Sequence, residues 1–260
     1  MTRFYISAKL DETSMTLNKK LKNALYKHDW IEDEITPEIV FTIGGDGTFL
    51  HAVHKYLNRL NRINFVGIHT GTLGFYTDYE AEEINQLIQD VLYNQPKIEA
   101  IRMLKIETKN GKQKNSLYAL NEARIENIIK TQIIHVYIND EYLEMFRGNG
   151  LCVSAQAGST AYNRSINGAV MSMGIEGLQI TEISGIHHKA SRSLGSPLII
   201  SSKSNIVFKN DTFTKAVLCY DYKHISLDDM TEIKVNLSNK KVKIARFRPT
   251  SYIRRLQSLF

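Results

Sequence analysis

Residues Gly44-Gly45-Asp46-Gly47-Thr48 constrain this chain more than any other stretch. The run follows a short apolar segment headed by Pro37 (PEIVFTI, residues 37–43). It precedes Phe49, Leu50, Ala52, Val53, Tyr56 and Leu57, apolar positions at helical spacing. That pattern predicts a strand, a tight glycine turn and the start of a helix. Such a junction leaves backbone N–H groups without helical partners and facing a ligand, which suits phosphate. Glycine lets the backbone come close to phosphate oxygens with no Cβ in the way. The carboxylate needs a different task, because Asp46 would repel a phosphate. It either receives a proton from an attacking hydroxyl or holds a metal. A helix N-cap in an ordinary turn is the better account of a bare Asp-Gly-Thr. With glycine on both sides, phosphate chemistry is the better account.

The surrounding pattern predicts an α/β domain. Strands are expected at residues 3–8, 39–43 and 64–69, and helices at 17–26, after Thr48, and near 81–92. This alternation predicts a Rossmann-like parallel sheet with its ligand at the carboxyl ends of the strands. A second glycine turn, His69-Thr70-Gly71-Thr72-Leu73-Gly74, also sits at such an end, and the shared placement predicts one site. After Pro96 the character changes. Short runs at 98–107, 117–126, 133–138 and 216–220 are separated by polar turns (Lys109-Asn110-Gly111-Lys112, Asn139-Asp140) and read as antiparallel strands. A polar, small-residue segment from Ala155 to about Pro197 is too long for an ordinary loop and is expected to contain a helix around 175–183. Residues 242–247 read as a further strand. The expected division is an α/β domain over 1–97, onto which about 240–260 packs back, and a β-rich, β-sandwich-like domain over 98–239.

Composition narrows the function classes. With 260 residues, 43% hydrophobic and 23% charged, the chain reads as a soluble globular protein. Its net charge of +6 suits an anionic small molecule as well as a nucleic acid. No apolar stretch is long enough to cross a bilayer, and the first ten residues lack a signal-peptide core. Cys152 and Cys219 lie inside apolar runs and read as buried free thiols of a reducing cytoplasm, and no metal-ligand spacing occurs. His187-His188 read as polar loop residues, and His51 and His54 as surface or packing residues. Arg246, Arg248, Arg254 and Arg255 lack interleaved aromatics in a nucleic-acid-binding pattern, so they read as a solvated face or an oligomer contact.

A second constellation lies in the β-rich half. Asn121-Glu122 follows an apolar run; a carboxylate beside an amide can hold a vicinal diol, although a solvated strand end is the plainer reading. Arg147-Gly148-Asn149-Gly150 couples a fixed cation with glycines. Gly158-Ser159-Thr160-Ala161-Tyr162-Asn163 offers hydroxyls, backbone amides and an aromatic ring. Together they can take a nucleotide's base, sugar and phosphate. The plainer reading is a pair of turns, Asn149-Gly150 being a common hairpin dipeptide.

Taken in order and spacing, these residues resemble the bacterial NAD kinases. The likeness rests on Gly44 to Thr48, Gly67-Ile68-His69-Thr70-Gly71-Thr72-Leu73-Gly74-Phe75, Asn121-Glu122 and Gly158 to Asn163. It continues to Ser196-Pro197-Leu198 and Ala245-Arg246-Phe247-Arg248. The resemblance implies transfer of the γ-phosphoryl of ATP, with a divalent metal (magnesium carried with ATP), to the 2′-hydroxyl of the adenosine ribose of NAD. Some relatives also accept polyphosphate. It further implies a β-rich domain carrying much of the NAD site, and a homo-oligomer, commonly a tetramer. In family terms Asp46 is the general base, and Gly45 and Gly47 line the diphosphate. Asn121 and Glu122 bind ribose, while Thr160, Ala161, Tyr162 and Ser165 contact the adenine or the nicotinamide amide. Thr48, Phe75, Arg147, Asn149, Asn163 and Arg164 complete the nucleotide-binding candidates. Three segments depart from the family pattern: Asn149 stands for Asp, Ala155-Gln156 for Thr-Pro, and Asn167-Gly168 for Gly-Gly. A lipid kinase of the diacylglycerol type carries the same glycine turn, but only residues 252–260 approach a membrane-facing basic helix. A catalytically weak dinucleotide sensor is the other alternative, motivated by Asn149 and Gln156.

Overall fold

A computed structural model describes residues 1–110, 113–186, 193–249 and 251–260. Gly111 and Lys112 of the expected turn, and His187 and His188, lie outside the described residues. The elements run β1 (Arg3–Ala8), α1 (Glu12–Tyr26), β2 (Ile31–Glu32), β3 (Ile39–Ile43), α2 (Asp46–Lys55), β4 (Asn64–His69), β5 (Tyr79–Glu80) and α3 (Ile84–Tyr93). They continue β6 (Lys97–Asn110), β7 (Gln113–Ala119), β8 (Glu122–Glu126), β9 (Gln132–Ile138), β10 (Glu141–Ala155), α4 (Tyr162–Ser165) and β11 (Gly177–Gly185). The last are β12 (Leu198–Ser201), β13 (Asn205–Lys209), β14 (Val217–Tyr220), β15 (Lys223–Ser226), β16 (Glu232–Arg246) and α5 (Tyr252–Gln257). Contacts divide the chain into two compact units, Met1–Ile101 with Lys240–Phe260, and Arg102–Asn239. The first is α/β and the second β-rich.

The first unit is built on a parallel sheet. β1 pairs with β2 and β3, β3 with β4, and β4 with the carboxyl end of β16, all in parallel. Its strands read as near-continuous apolar runs because helices cover them: Val40, Phe41 and Ile43 are fully buried, as are Phe65, Val66 and Ile68. α1 starts at Glu12, five residues before the predicted helix, because Asp11 caps it by accepting from the Ser14 N–H at 2.8 Å. Leu17, Leu21 and Leu25 form its buried stripe.

The second unit is antiparallel, with strands in the order β15-β14-β8-β10-β9-β13-β16 and β11-β12 beside β10. One face of β8, β10, β11 and β14 carries Ala123, Ile125, Leu151, Val153, Ile180 and Leu218 into the core. Two expectations are corrected here. The helix expected around 175–183 is strand β11: Leu178 and Ile180 enter the core while Gln179 and Thr181 bond to Ala169 and Asn163, a period of two. The single run expected at 117–126 is broken at Leu120-Asn121, whose N–H groups turn to the Asp221 carboxylate at 2.9 and 2.8 Å.

Candidate active site

In the first unit the two glycine turns meet at Asp46. The residue that caps α2 is Gly45, and Asp46 occupies the first turn, so the N-cap reading of Asp46 does not hold. Its carboxylate accepts instead from the backbone N–H groups of Phe75 (2.9 Å) and Tyr76 (3.1 Å) in the second turn. Gly74 makes this approach possible, since a Cβ there would lie 2.2 Å from Asp46 Oδ1. Gly45 and Gly47 are exposed, and a Cβ on either would meet nothing within 4 Å. Their open sides lie on the first turn of a ten-residue helix, where unpaired N–H groups and the helix dipole favour an anion. Thr48 is half-buried, as is Phe75, whose ring meets that of Tyr252 edge-on at 6.2 Å.

The arginines near the end of the chain correct another expectation. Arg246 and Arg255 are 7% and 4% exposed, so they form no solvated face. Asp78 pairs with Arg246 at 2.6 Å and also with Arg255 Nη2. Arg248 pairs with Glu83 at 2.6 Å, holding that carboxyl down at about 2. Of the four, Arg254 is exposed. A charge run in sequence hides this, because Asp78 is far away along the chain. His54 is buried and His51 exposed, within the surface-or-packing reading.

In the second unit, Glu122, Arg124 and Glu126 alternate on the polar face of β8, beside Ser154 of β10, register partner of Glu122. Glu122 is 5% exposed, and its Oε2 has no hydrogen-bond partner among the described residues; the same holds for Arg124 Nε and Ser154 Oγ. Buried polar atoms without partners are uncommon, and three together fit a polar ligand. Burial, then the Asp221 charge, push the Glu122 carboxyl up to about 8. Arg124 opposes this from 3.9 Å but is committed more closely to Glu126 at 2.9 Å, so burial prevails. The Arg124 guanidinium lies 3.8 Å from the centre of the Tyr162 ring, and Tyr162 Oη donates to Glu126 at 2.7 Å.

The Gly158–Asn163 segment lies on the same polar surface. A Cβ on Gly158 would come 1.9 Å from the Asn121 carbonyl oxygen, so glycine lets this turn press against Asn121. Thr160 is buried, Ala161 and Tyr162 half-buried, and Arg164 and Ser165 exposed. Asn163 is fully buried, accepts from the Thr181 hydroxyl at 2.7 Å, and braces the turn from within. Arg147 is exposed. Asn149 lies within β10, not in a hairpin turn, and its Nδ2 donates to the Asn127 carbonyl at 2.9 Å. Five residues separate it from Ser154, about 17 Å of strand, so the structure does not gather it with Glu122. Sequence reasoning missed Arg124, Glu126, Ser154 and Asp221; the Glu-x-Arg-x-Glu alternation over 122–126 was the available signal. Cys219 is only partly buried, unlike Cys152, and both thiols are free.

Residues 6–95 match a family model described as ATP-NAD kinase N-terminal domain, and residues 118–247 one described as ATP-NAD kinase C-terminal domain. The chain is 36% identical over 260 residues to NAD kinase 1 of Bacillus anthracis, spanning 99% of this chain and 98% of the relative. Its fold is similar to that of yeast NADH kinase complexed with NADH, with a TM-score of 0.83 and 21% identity over 99% of this chain and 86% of that one. It is also similar to an NAD kinase from Archaeoglobus fulgidus in complex with ATP, with a TM-score of 0.79 and 21% identity over 99% of this chain and 98% of that one.

Proposed function

The chain belongs to the ATP-NAD kinase family, and on that premise we propose that Asp46 is the general base of its phosphoryl transfer. The reaction is the ATP-dependent phosphorylation of NAD. In this reading the attacking group is the 2′-hydroxyl of the adenosine ribose. Its proton passes to an Asp46 carboxylate oxygen as the hydroxyl oxygen bonds to the γ-phosphorus of ATP, the bond to the β-phosphate oxygen breaks, and ADP leaves with that electron pair. The products are NADP and ADP. The observation that carries the reading is the anchoring of Asp46 by the Phe75 and Tyr76 N–H groups beside the open Gly45 and Gly47. A base held in one place loses little orientational freedom when the hydroxyl arrives. The helix N-terminus then favours the phosphates without adding a cation.

Asn121 and Glu122 are assigned to ribose hydroxyls. A carboxyl raised to about 8 is largely protonated at neutral pH, so Glu122 donates one hydrogen bond and accepts others. Thr160, Ala161, Tyr162 and Ser165 are assigned to the adenine or nicotinamide amide. Among the described residues, no three His, Cys, Asp or Glu side chains gather as a resident metal site. A magnesium ion carried on ATP needs few protein oxygens, and with the Asp46 carboxylate assigned to the proton, the Thr48 hydroxyl is the side-chain oxygen the glycine turn would offer it. When bound, the ion neutralises charge on the phosphates.

A homotetramer in the cytoplasm completes the reading. Large apolar side chains exposed on the β-rich unit support self-association, among them Ile128, Ile129, Ile133, Tyr142 and Leu143. Free Cys152 and Cys219 fit a reducing compartment. No helix among the described residues is long and apolar enough to cross a membrane. Purified chain given NAD and magnesium-ATP should form NADP with the new phosphate on the 2′-oxygen by phosphorus NMR. Phosphate on any other oxygen, or no NADP, would overturn the reading.

A further inference from the structure

We propose that Arg246, Arg255 and Ser258, near the end of the chain, are the positioning residues of this reaction, holding the peptide planes that hold Asp46. The inference rests on Asp46 being the base. The two N–H groups bonded to the carboxylate belong to consecutive peptide units, Gly74–Phe75 and Phe75–Tyr76. A peptide unit is planar, so fixing its oxygen fixes the direction of its N–H. Arg255 Nη1 donates to the Gly74 carbonyl at 2.5 Å, and Arg246 Nη2 to the Phe75 carbonyl at 3.2 Å. Each arginine therefore grips the oxygen end of a plane whose nitrogen end bonds one Asp46 oxygen: Arg255 acts on the plane at Oδ2 and Arg246 on the plane at Oδ1. Ser258 Oγ lies 3.0 Å from the preceding carbonyl, Leu73, and 2.7 Å from the Arg255 carbonyl, and its single hydrogen is shared between the two. Residues 71–76 form no helix or strand, so three consecutive carbonyls of an irregular loop are fixed by the end of the chain.

The arginines are themselves held rigidly. Asp78, whose side chain is 1% exposed, pairs with both, and Glu99 accepts from Arg246 Nε at 2.8 Å. Two guanidinium groups buried side by side are costly, and burial together with Arg246 pushes Arg255 below its ordinary value. A tail needed only to cover apolar surface would be served by apolar residues. The planar fork of arginine can bond a carbonyl and a carboxylate at once, which a lysine ammonium does not reproduce in the same geometry.

The test is steady-state kinetics on the full chain with thermal melts as the fold control. Arg255→Lys should remain folded and lose about 10–10²-fold in kcat, with KM for NAD and ATP within about twofold of wild type. Ser258→Ala should show a smaller loss of the same kind. Arg254→Ala, on the exposed side of α5, should match wild type. Hydrogen exchange at the Phe75 and Tyr76 amides should quicken in Arg255→Lys. The decisive comparison is Asp46→Asn with and without Arg255→Lys: if Arg255 acts through Asp46, the double variant is no slower than Asp46→Asn alone. Wild-type kcat in Arg255→Lys, or an equal fractional loss on the Asp46→Asn background, would overturn the proposal. Near-normal turnover in Asp46→Asn alone would instead overturn the base assignment, whatever Arg255→Lys does.

Discussion

Glu122 makes the stability of this protein depend on pH. Its carboxyl stands at about 8 in the folded chain against an ordinary 4.5. Between those values the folded state keeps a proton that the unfolded chain releases, so stability falls as pH rises, by up to about 1.4 kcal/mol per unit. Glu122→Gln should flatten that fall between about pH 5 and 8 in denaturant titrations; parallel curves for the two proteins would remove the burial argument. At Asn149 the amide donates to the Asn127 carbonyl. Asn149→Asp would set acceptor against acceptor there and should cost about 1–3 kcal/mol in denaturant midpoints, and an unchanged midpoint would mean that the side chain turns away. The Asn121-Glu122 pair was legible in sequence. Its charge state was not, because burial sets it first and Asp221, which adds to it, arrives from about a hundred residues further along the chain.

The elements were legible where period and glycine punctuation agreed. β1, β3 and β4 have the boundaries read from sequence, since their apolar runs end at glycine or at a polar change. A helix is expected where β11 lies because a long polar segment needs an ordered element. Its alternation of Leu178 and Ile180 with Gln179 and Thr181 was the contrary signal. The second glycine turn was visible as a turn, but its contact with Asp46 joins positions 29 residues apart and no local pattern encodes it. That contact makes the turn testable as an element. Gly74→Ala should displace the Asp46 carboxylate and lower kcat by about 10²-fold, while Gly71→Ala, where a Cβ meets nothing within 4 Å, should match wild type in the same assay. Equal activity in both variants would mean that the turn does not set the carboxylate.

At the scale of the whole molecule, the two-part composition of the chain was readable from the change after Pro96, and β6 and β16 each contribute residues to both units. The burial of Arg246 and Arg255 was not readable, because their counter-charge comes from the loop before β5. Light scattering on the purified protein should give a mass near four times the 29.7 kDa chain; a monomer at micromolar concentration would contradict the tetramer. The measurement closest to the central claim pairs kinetics with calorimetry on Asp46→Asn. The amide keeps the shape of the carboxylate and cannot take the hydroxyl proton. NADP formation should fall by about 10²–10⁴-fold in kcat while the NAD dissociation constant stays near that of wild type. Near-normal turnover in a folded Asp46→Asn protein would contradict the role of Asp46 as the base.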